Sequence, residues 1–339
     1  MKLITGATGM LGAHLAYKLL QTENKIKAIK RKNSKIENTL KTFQFYTSKI
    51  KAQKLFAKIE WINADILDYQ PVYDALENVS EVYHAAAIIS FNPADRKKII
   101  ENNTEGTANI VNAAIKKNIT KFCHISSIAA LGQETNNQIT EKSVRSSDIN
   151  YTGYQQSKYM SELEVWRAAE EGLNVVILNP PIILGISPNK TLGSTSIFYN
   201  VEKGLNFYTN GITGYTDVQD IVNIAIILMG KNISKERFIV NSENISYRKI
   251  LNLIADEFET KHPKYQANKF MLDLAWRFEK IKTFFTRKPP VITKDVVKSA
   301  VSIEKYSSQK LLDAIDYKFM PIEESIKKNV TIYKKMITL

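Results

Sequence analysis

The chain has 339 residues, of which 44% are hydrophobic and 24% charged, values typical of a folded globular protein and unlike those of collagen-like or disordered chains. The net charge of +13 comes from 39 Lys and 8 Arg spread along the whole sequence. Because no zinc finger, basic zipper or RNP-like motif accompanies these charges, we expect no nucleic-acid partner.

Membrane-spanning, secreted and metal-binding classes are also disfavoured by the sequence. The longest apolar stretches, such as residues 221–230, fall short of the roughly 20 residues that span a bilayer, which predicts no integral membrane segment. A strand pattern at the first residues leaves no room for a signal peptide, so we expect a cytoplasmic protein. The single cysteine and the lack of a Cys/His cluster with ligand spacing predict no disulfide and no metal.

Short β-branched runs alternate with amphipathic stretches over the first 180 residues, a pattern typical of a parallel sheet flanked by helices. We predict a helix over residues 38–58, although its apolar spacing is imperfect. The pattern indicates a doubly wound α/β fold. The six predicted strands cover residues 2–6, 25–30, 59–63, 81–85, 121–126 and 174–179.

A glycine-rich turn follows the first predicted strand and opens a helix, which is the position of a dinucleotide-binding turn. Gly6 is expected to form the tight turn, Gly9 to let the backbone approach a pyrophosphate, and Gly12 to let the helix pack close to the strand. The helix N-terminus would then face the phosphates. The other residues of this turn that we expect to contact the cofactor are Thr8, Met10 and Leu11.

A parallel sheet with this turn after its first strand is typical of a Rossmann fold that binds NAD(P). We assign residues 1–186 to such a domain and expect residues 215–245 to return to it. Residues 187–339 are predicted to form mainly a smaller α+β part that binds the substrate. Within it, residues 246–258 and 270–285 are predicted to be helical. The second helix mixes aromatic and basic residues, and we interpret it as a packed helix, with a membrane-surface helix as the alternative.

The end of the second strand determines which cofactor ribose fits, because an acidic residue there binds the 2′-hydroxyl of NAD and a basic one the 2′-phosphate of NADP. This chain has Lys30, Arg31 and Lys32 at that position and no carboxylate. Arg31 can grip a phosphate with two parallel hydrogen bonds, so we predict NADP, with NAD possible. The alternative interpretation is a charged strand end in solvent.

Three side chains have the types and positions needed for carbonyl chemistry. Tyr154 and Lys158 are four residues apart, and therefore share one face of a predicted helix. We expect the Lys158 ammonium to lower the pKa of the Tyr154 phenol, making it a proton donor or acceptor. Ser127 follows the fifth strand, at the sheet edge where ligands bind, and can donate a hydrogen bond to the substrate oxygen.

The glycine turn, Ser127 and the Tyr154/Lys158 pair resemble the extended short-chain dehydrogenase/reductase superfamily, which is also the family of NAD-dependent epimerases and dehydratases. Residues 2–230 carry the resemblance. Further matching segments, in the family's order, are Asn63-Ala64-Asp65-Ile66, His84-Ala85-Ala86-Ala87, Asn102-Asn103-Thr104-Glu105-Gly106-Thr107, Asn179-Pro180-Pro181-Ile182-Ile183-Leu184-Gly185 and Tyr215-Thr216-Asp217-Val218-Gln219-Asp220.

The resemblance implies roles for several of these residues. Lys158 would bind the nicotinamide ribose, and Asn102, rather than its neighbour Asn103, would hold a water that reconnects Lys158 to solvent. A homodimer through the helix that bears Tyr154 and Lys158 is also implied. The implied cofactor contacts are Asp65 and Ile66 with the adenine ring, Ala85 and Ala86 along the cofactor, and Pro180 and Ile183 with the nicotinamide.

Departures from the family pattern favour one branch. Sugar-nucleotide dehydratases have an Asp-Glu pair where this chain has Ile128-Ala129, and epimerases often have Tyr where it has Leu131. The chain is more similar to the dihydroflavonol-reductase and 3β-hydroxysteroid-dehydrogenase-like branch, which implies an NADP(H)-dependent oxidoreductase acting on a small, largely apolar carbonyl or hydroxyl substrate. The alternatives are an NAD-dependent sugar-nucleotide epimerase and a non-catalytic NAD(P)-binding regulator.

Overall fold

A computed structural model of the chain describes residues 1–134, 138–286 and 293–338. In chain order its strands are β1 (Lys2–Thr5), β2 (Ile26–Lys30), β3 (Ile59–Asn63), β4 (Glu81–His84), β5 (Lys121–Ile125), β6 (Val175–Asn179), β7 (Ile182–Leu184), β8 (Phe207–Tyr208), β9 (Ile212–Asp217), β10 (Glu236–Ile239), β11 (Glu243–Ser246) and β12 (Tyr265–Gln266). Its helices are α1 (Met10–Leu19), α2 (Glu37–Tyr46), α3 (Lys49–Phe56), α4 (Tyr69–Ala75), α5 (Arg96–Lys116), α6 (Gly153–Glu170), α7 (Thr195–Glu202), α8 (Val218–Gly230), α9 (Tyr247–Phe258), α10 (Lys269–Thr286), α11 (Lys294–Val301), α12 (Gln309–Ala314) and α13 (Ile322–Thr338).

The main sheet contains seven parallel strands in the spatial order β3-β2-β1-β4-β5-β6-β10. The six strands predicted from the sequence all belong to it, and the predicted doubly wound α/β class is confirmed. The seventh strand, β10, pairs with β6 and comes from a late segment of the chain. The strand order reverses direction between β1 and β4, and such a crevice at the carboxyl ends of the strands is where open α/β sheets bind ligands.

The two faces of the sheet are covered by different helices. Side chains alternate along each strand, so that Leu3 packs on one face while Ile4 packs on the other. The face that includes Leu3 is covered by α4, α5 and α6, and the face that includes Ile4 by α1, α2, α3 and α8. Strands buried on both sides read as nearly continuous apolar runs, which is the pattern the sequence contains.

The helix predicted over residues 38–58 is two helices, α2 and α3. Thr47 has an extended backbone, with φ of −152° and ψ of 175°, and so ends α2. Ser48 then caps α3, because its hydroxyl accepts a hydrogen bond from the backbone N–H of Lys51 at 3.3 Å. This cap explains the imperfect spacing of apolar residues across the predicted helix.

The C-terminal part surrounds a second core, which includes Phe198, Tyr215, Ile254 and Tyr333. Its three-stranded sheet has the order β11-β9-β7, with β9 antiparallel to β11 and parallel to β7, and a two-stranded sheet pairs β12 with β8. Helices α9 and α10 agree with the predicted segments. The division of the chain into domains at residue 186 stays a prediction.

Helix α10 differs from the interpretation as an ordinary packed helix. Its side with Leu272 and Trp276 is half-buried, whereas Phe270 and Phe278 are 76% and 63% exposed. The helix is therefore attached through one side and leaves Phe270 and Phe278 exposed to solvent. Among the described residues, no helix combines the length and the hydropathy needed to cross a membrane.

Candidate active site

The strands of the parallel sheet bring most of the predicted site residues to one edge, because each of these residues follows the carboxyl end of a strand. Asn102 lies on α5, and Tyr154 and Lys158 lie on α6. The order at this edge is Gly6 to Gly12 after β1, Arg31 after β2, Asp65 and Ile66 after β3, Ala85 and Ala86 after β4, Ser127 after β5, and Pro180 and Ile183 after β6.

The glycine turn is built by close contacts between backbone segments. Gly6 has a φ of +74°, a left-handed conformation, and a β-carbon there would lie 2.8 Å from the backbone of Ala85 and Ala86. A β-carbon on Gly12 would overlap the carbonyl oxygen of Gly6. A β-carbon on Gly9 would meet only the Gly6 oxygen, at 3.3 Å, so the outer side of Gly9 is open. Two glycines therefore shape the turn, and the third leaves room for a ligand.

The start of α1 is suited to an anion. Gly9 occupies the cap position and offers no side chain to the free backbone N–H groups, and the first turn contains no acidic residue. The positive end of the helix macrodipole adds to these donors. The turn therefore fits the pyrophosphate of a dinucleotide.

The remaining walls of this crevice come from the predicted cofactor residues and their neighbours. The Ser194 hydroxyl contacts the Met10 sulfur at 3.5 Å, which brings the loop after β7 against the start of α1. Ile66 packs directly against Gly106 of α5, where a β-carbon would overlap its side chain. Asp65 accepts a hydrogen bond from the backbone N–H of Leu67 at 3.2 Å, so its carboxylate shapes the turn after β3.

Arg31 lies at the outer end of the crevice with an exposed side chain. Its backbone N–H donates to the Ser34 hydroxyl at 3.1 Å, which fixes the turn after β2. The ammonium of Lys30 donates to the side-chain oxygen of Asn63 at 2.6 Å, whereas Lys32 is exposed. Arg31 and Lys32 thus place exposed positive charge just after the carboxyl end of β2.

Ser127 lies between the ends of two central strands. Its hydroxyl oxygen accepts a hydrogen bond from the backbone N–H of Ala129 at 3.1 Å, which leaves the hydroxyl proton free to donate. The side-chain amide of Asn179, at the end of β6, donates to the backbone oxygen of Ser127 at 2.9 Å. The backbone N–H of Ile128 donates to the Pro180 oxygen at 3.1 Å. The two strand ends are therefore joined around Ser127.

Helix α6 positions Tyr154 and Lys158, as the sequence predicted for its start. Thr152 caps the helix: its hydroxyl accepts from the N–H of Gln155 at 3.1 Å, and the Gln155 side chain accepts from the N–H of Thr152 at 2.9 Å. The cap holds the first turn of α6, which contains Tyr154, beside the end of β5.

The ammonium of Lys158 is buried, and it donates to the backbone oxygen of Ile125, the last residue of β5, at 3.0 Å. Burial lowers the pKa of Lys158 to about 8, while the carboxylate of Glu162, one turn further along α6, acts in the opposite direction. Glu162 is itself held by Asn179 and by Arg237, whose guanidinium lies 3.2 Å away. The sequence analysis did not identify Glu162.

The expected lowering of the Tyr154 pKa is not present in this structure. Burial raises the pKa of Tyr154 to about 12, and the neighbouring Ser127 hydroxyl only partly opposes this effect. Lys158 does not lower it, because the ammonium is directed to the Ile125 oxygen. Tyr154 is therefore protonated at neutral pH and available as a proton donor.

Asn102 is not at the site, contrary to the prediction. Its side-chain amide donates to the Lys98 oxygen on its own helix at 2.9 Å. The neighbouring Asn103 is buried and bonds both backbone groups of Ile88, at 2.8 and 2.9 Å, and the Ser157 hydroxyl at 3.0 Å. One residue is about 100° of rotation on a helix, and only Asn103 faces α6.

A buried hydrogen-bonded chain that the sequence analysis did not predict supports the strand ends below the glycine turn. The Thr5 hydroxyl accepts from the Ala86 N–H at 3.2 Å and donates to His84 Nδ1 at 2.8 Å. His84 Nε2 donates to the Thr107 hydroxyl at 3.1 Å, which donates to the Asn103 oxygen at 2.7 Å. Burial lowers the pKa of His84 to about 3, so the ring stays neutral.

An aromatic side chain from the loop after β4 borders the phenol. The Phe91 ring meets the Tyr154 ring edge to face, with centroids 5.7 Å apart, and remains 49% exposed. Ile89 in the same loop is 64% exposed. Nothing in the sequence spacing distinguishes these two residues, because only the course of the loop brings them to the site.

The chain is similar to several known proteins. The NAD-binding family described as male sterility protein matches residues 4–246. The chain belongs to the extended short-chain dehydrogenase/reductase superfamily, whose members are NAD(P)-binding Rossmann-fold oxidoreductases, epimerases and dehydratases. It is similar to the sterol demethylase protein B of Methylococcus capsulatus, with 29% identity over 77% of this chain and 75% of that one.

Two further similarities extend over nearly the whole chain. A Synechocystis sp. protein named as a candidate dihydroflavonol 4-reductase is 28% identical over 95% of this chain and 91% of that one. The crystal structure of gox2253 matches with a TM-score of 0.80 and 21% identity, and covers 99% of this chain and 98% of its own. That structural likeness supports the fold alone.

Proposed function

We propose that the protein is an NADP(H)-dependent oxidoreductase that transfers a hydride between nicotinamide and a carbonyl or hydroxyl group of a largely apolar substrate. The observation that carries the proposal is the meeting of Ser127, Tyr154 and Lys158 beside the glycine turn. The similarity to a named sterol demethylase protein and a candidate dihydroflavonol reductase supports the same class of substrate.

In this proposal, different residues at the sheet edge bind different parts of the cofactor. The N–H groups at the start of α1 hold the pyrophosphate, Lys158 binds the nicotinamide ribose, and Pro180 and Ile183 border the nicotinamide. When bound, the nicotinamide supplies or accepts the hydride. Because Lys158 donates to a single acceptor among the described residues, its ammonium retains donors for ribose hydroxyls.

Tyr154 is the proton donor in the direction of reduction. Its raised pKa keeps the phenol protonated at neutral pH, so the proton is present when negative charge develops on the substrate oxygen. Ser127 donates a second hydrogen bond to the same oxygen, since the bond that its hydroxyl oxygen accepts from the Ala129 N–H does not use the hydroxyl proton. Oxidation uses the same two groups in reverse.

Asn103 is a positioning residue in this scheme, in place of Asn102. It joins the loop after β4 to α6 through Ile88 and Ser157, so it fixes the distance between Phe91 and Tyr154. Phe91 and Ile89 give the entrance of the site an apolar wall. A charged sugar nucleotide has no matching partner on that wall, whereas an apolar ketone or aldehyde does.

Consumption of NADPH in the presence of a panel of aromatic and aliphatic ketones and aldehydes tests the proposal. Tyr154→Phe is expected to reduce turnover about 10²- to 10⁴-fold without loss of NADPH binding. Tyr265→Phe is the matched control, because Tyr265 also has a lysine four residues later but lies far along the chain from the sheet edge. Tightly held NAD with no net consumption would instead indicate the epimerase.

A further inference from the structure

Helix α10 exposes four large apolar side chains on one side. Phe270, Met271, Leu274 and Phe278 are 76%, 41%, 46% and 63% exposed. Positions 270, 274 and 278 repeat at intervals of four and share one face of the helix, and Met271 adjoins it. Ile50 on α3, by contrast, is exposed singly, because the other apolar residues of that helix are at least partly buried. A contiguous apolar face of this kind marks a binding surface.

The orientation of α10 is fixed by its other side. Leu272 and Trp276, four residues apart, are half-buried, and the Trp276 indole N–H donates to the Asp273 carboxylate at 3.3 Å. Helix α11 packs alongside. The side with Leu272 and Trp276 therefore attaches the helix to the protein, and Phe270 and Phe278 face outward.

Exposed cations lie on α10 and on the segments next to it. Arg277 is exposed on α10 itself, and Lys294 and Lys298 are exposed on the neighbouring α11. Lys261 and Lys264 are exposed in the segment that leads to the helix. A second copy of the chain would bring its own charge of +13 against this surface, so an anionic occupant is electrostatically favoured over self-association.

Two further exposed aromatic residues lie on β8 and on β12, which ends shortly before α10 begins. Phe207 and Tyr265 are 49% and 53% exposed and their rings pack with centroids 5.7 Å apart. Aromatic residues next to lysines are typical of the boundary between lipid tails and headgroups, where the ring is buried and the polar end stays in water.

We propose that α10 lies in the plane of an anionic lipid bilayer, with Phe270, Leu274 and Phe278 inserted below the headgroups and the surrounding cations on the lipid phosphates. This places the protein on the membrane surface by one face rather than across it. The inference does not depend on the proposed activity, because neither cofactor nor substrate takes part.

Flotation of the full-length protein with vesicles tests this inference. We expect flotation with vesicles that contain phosphatidylglycerol in phosphatidylcholine and much less with phosphatidylcholine alone. Phe270→Ser/Phe278→Ser is expected to weaken partitioning by more than about tenfold. Ile50→Ser/Val144→Ser is the matched control, because it removes two side chains that are 68% and 82% exposed elsewhere and should leave flotation unchanged.

Three results would overturn the inference. The first is that the wild type remains with the unbound fraction at low salt. The second is that the Phe270/Phe278 variant floats to the same extent as the wild type, which would show that the protein's overall positive charge, and not this apolar face, binds the vesicles. The third is that the wild type sediments as a dimer, the Phe270/Phe278 variant sediments as a monomer, and neither protein floats with vesicles. The face would then be a contact between two copies of the chain. Unchanged thermal unfolding of both variants shows that their folds are intact.

Discussion

Lys158 and Glu162 lie one turn apart on α6, and the pKa of Lys158 depends on both burial and this carboxylate. Because Lys158 has a pKa of about 8, its ammonium is present at neutral pH and is lost as the pH rises through 8. We expect NADPH affinity to fall on the alkaline side of pH 8. Titration by nicotinamide fluorescence at a series of pH values checks this.

Glu162→Gln sharpens the same test. Removing the carboxylate takes away the group that raises the pKa of Lys158, so the alkaline loss of NADPH affinity should move to lower pH. Glu164→Gln is the control, since Glu164 lies on the same helix and pairs with Arg167 instead. A profile that is identical in all three proteins would show that Lys158 does not govern cofactor binding.

Asn103 and Asn102 are adjacent in sequence, but their side chains should contribute differently to the free energy of unfolding. Asn103→Ala leaves the backbone N–H and oxygen of Ile88 without partners in a buried region, which should lower the free energy of unfolding by about 1 to 3 kcal/mol. Asn102→Ala removes only a bond within its own helix and should change it by less than about 0.5 kcal/mol. Urea unfolding measures both, and a larger effect for Asn102 would contradict the structure.

At the scale of elements, the glycine turn joins β1 to α1 and leaves no space at Gly12. A methyl group there meets the backbone of Gly6 and Ala7, which cannot move without opening the turn. We expect Gly12→Ala to lower the free energy of unfolding by about 1 to 3 kcal/mol and to abolish NADPH binding.

Gly230→Ala is the control for the glycine turn. Gly230 ends α8, and a methyl group at this position would have no other atom within 4 Å, so the substitution should leave stability unchanged or slightly raised. Differential scanning calorimetry with and without NADPH compares the two variants. Stabilisation of Gly12→Ala by NADPH as large as that of the wild type would show that the turn does not hold the cofactor.

The elements of the sheet were predictable because strands buried on both faces carry continuous apolar runs, as in β1 and β6. The break between α2 and α3 was not, because it depends on the extended backbone of Thr47 and the capping Ser48 inside an amphipathic segment. Helix α10 was predicted as a helix, but its apolar residues were expected to pack in the core, whereas Phe270 and Phe278 are exposed.

At the scale of the whole molecule, parallel strands bring residues far apart in sequence to one edge, so motifs after each strand were enough to predict that these residues lie along the same edge. Details that depend on rotation or burial were not predictable. Asn103 rather than Asn102 faces α6, and Lys158 is directed to Ile125 instead of lowering the Tyr154 pKa. The apolar wall with Phe91 depends on a loop without regular structure.

The measurement that tests the central claim most directly is a titration of the wild type and Arg31→Ala with NADPH and NADH, followed by nicotinamide fluorescence. We predict that the wild type binds NADPH more tightly than NADH. Arg31→Ala should weaken NADPH binding about tenfold or more, because it loses a charge-assisted contact, and should leave NADH binding unchanged. Arg248→Ala, on α9, is the control. Equal binding of both cofactors, or a preference for NADH that Arg31→Ala does not alter, would contradict the assignment of NADP and favour the epimerase.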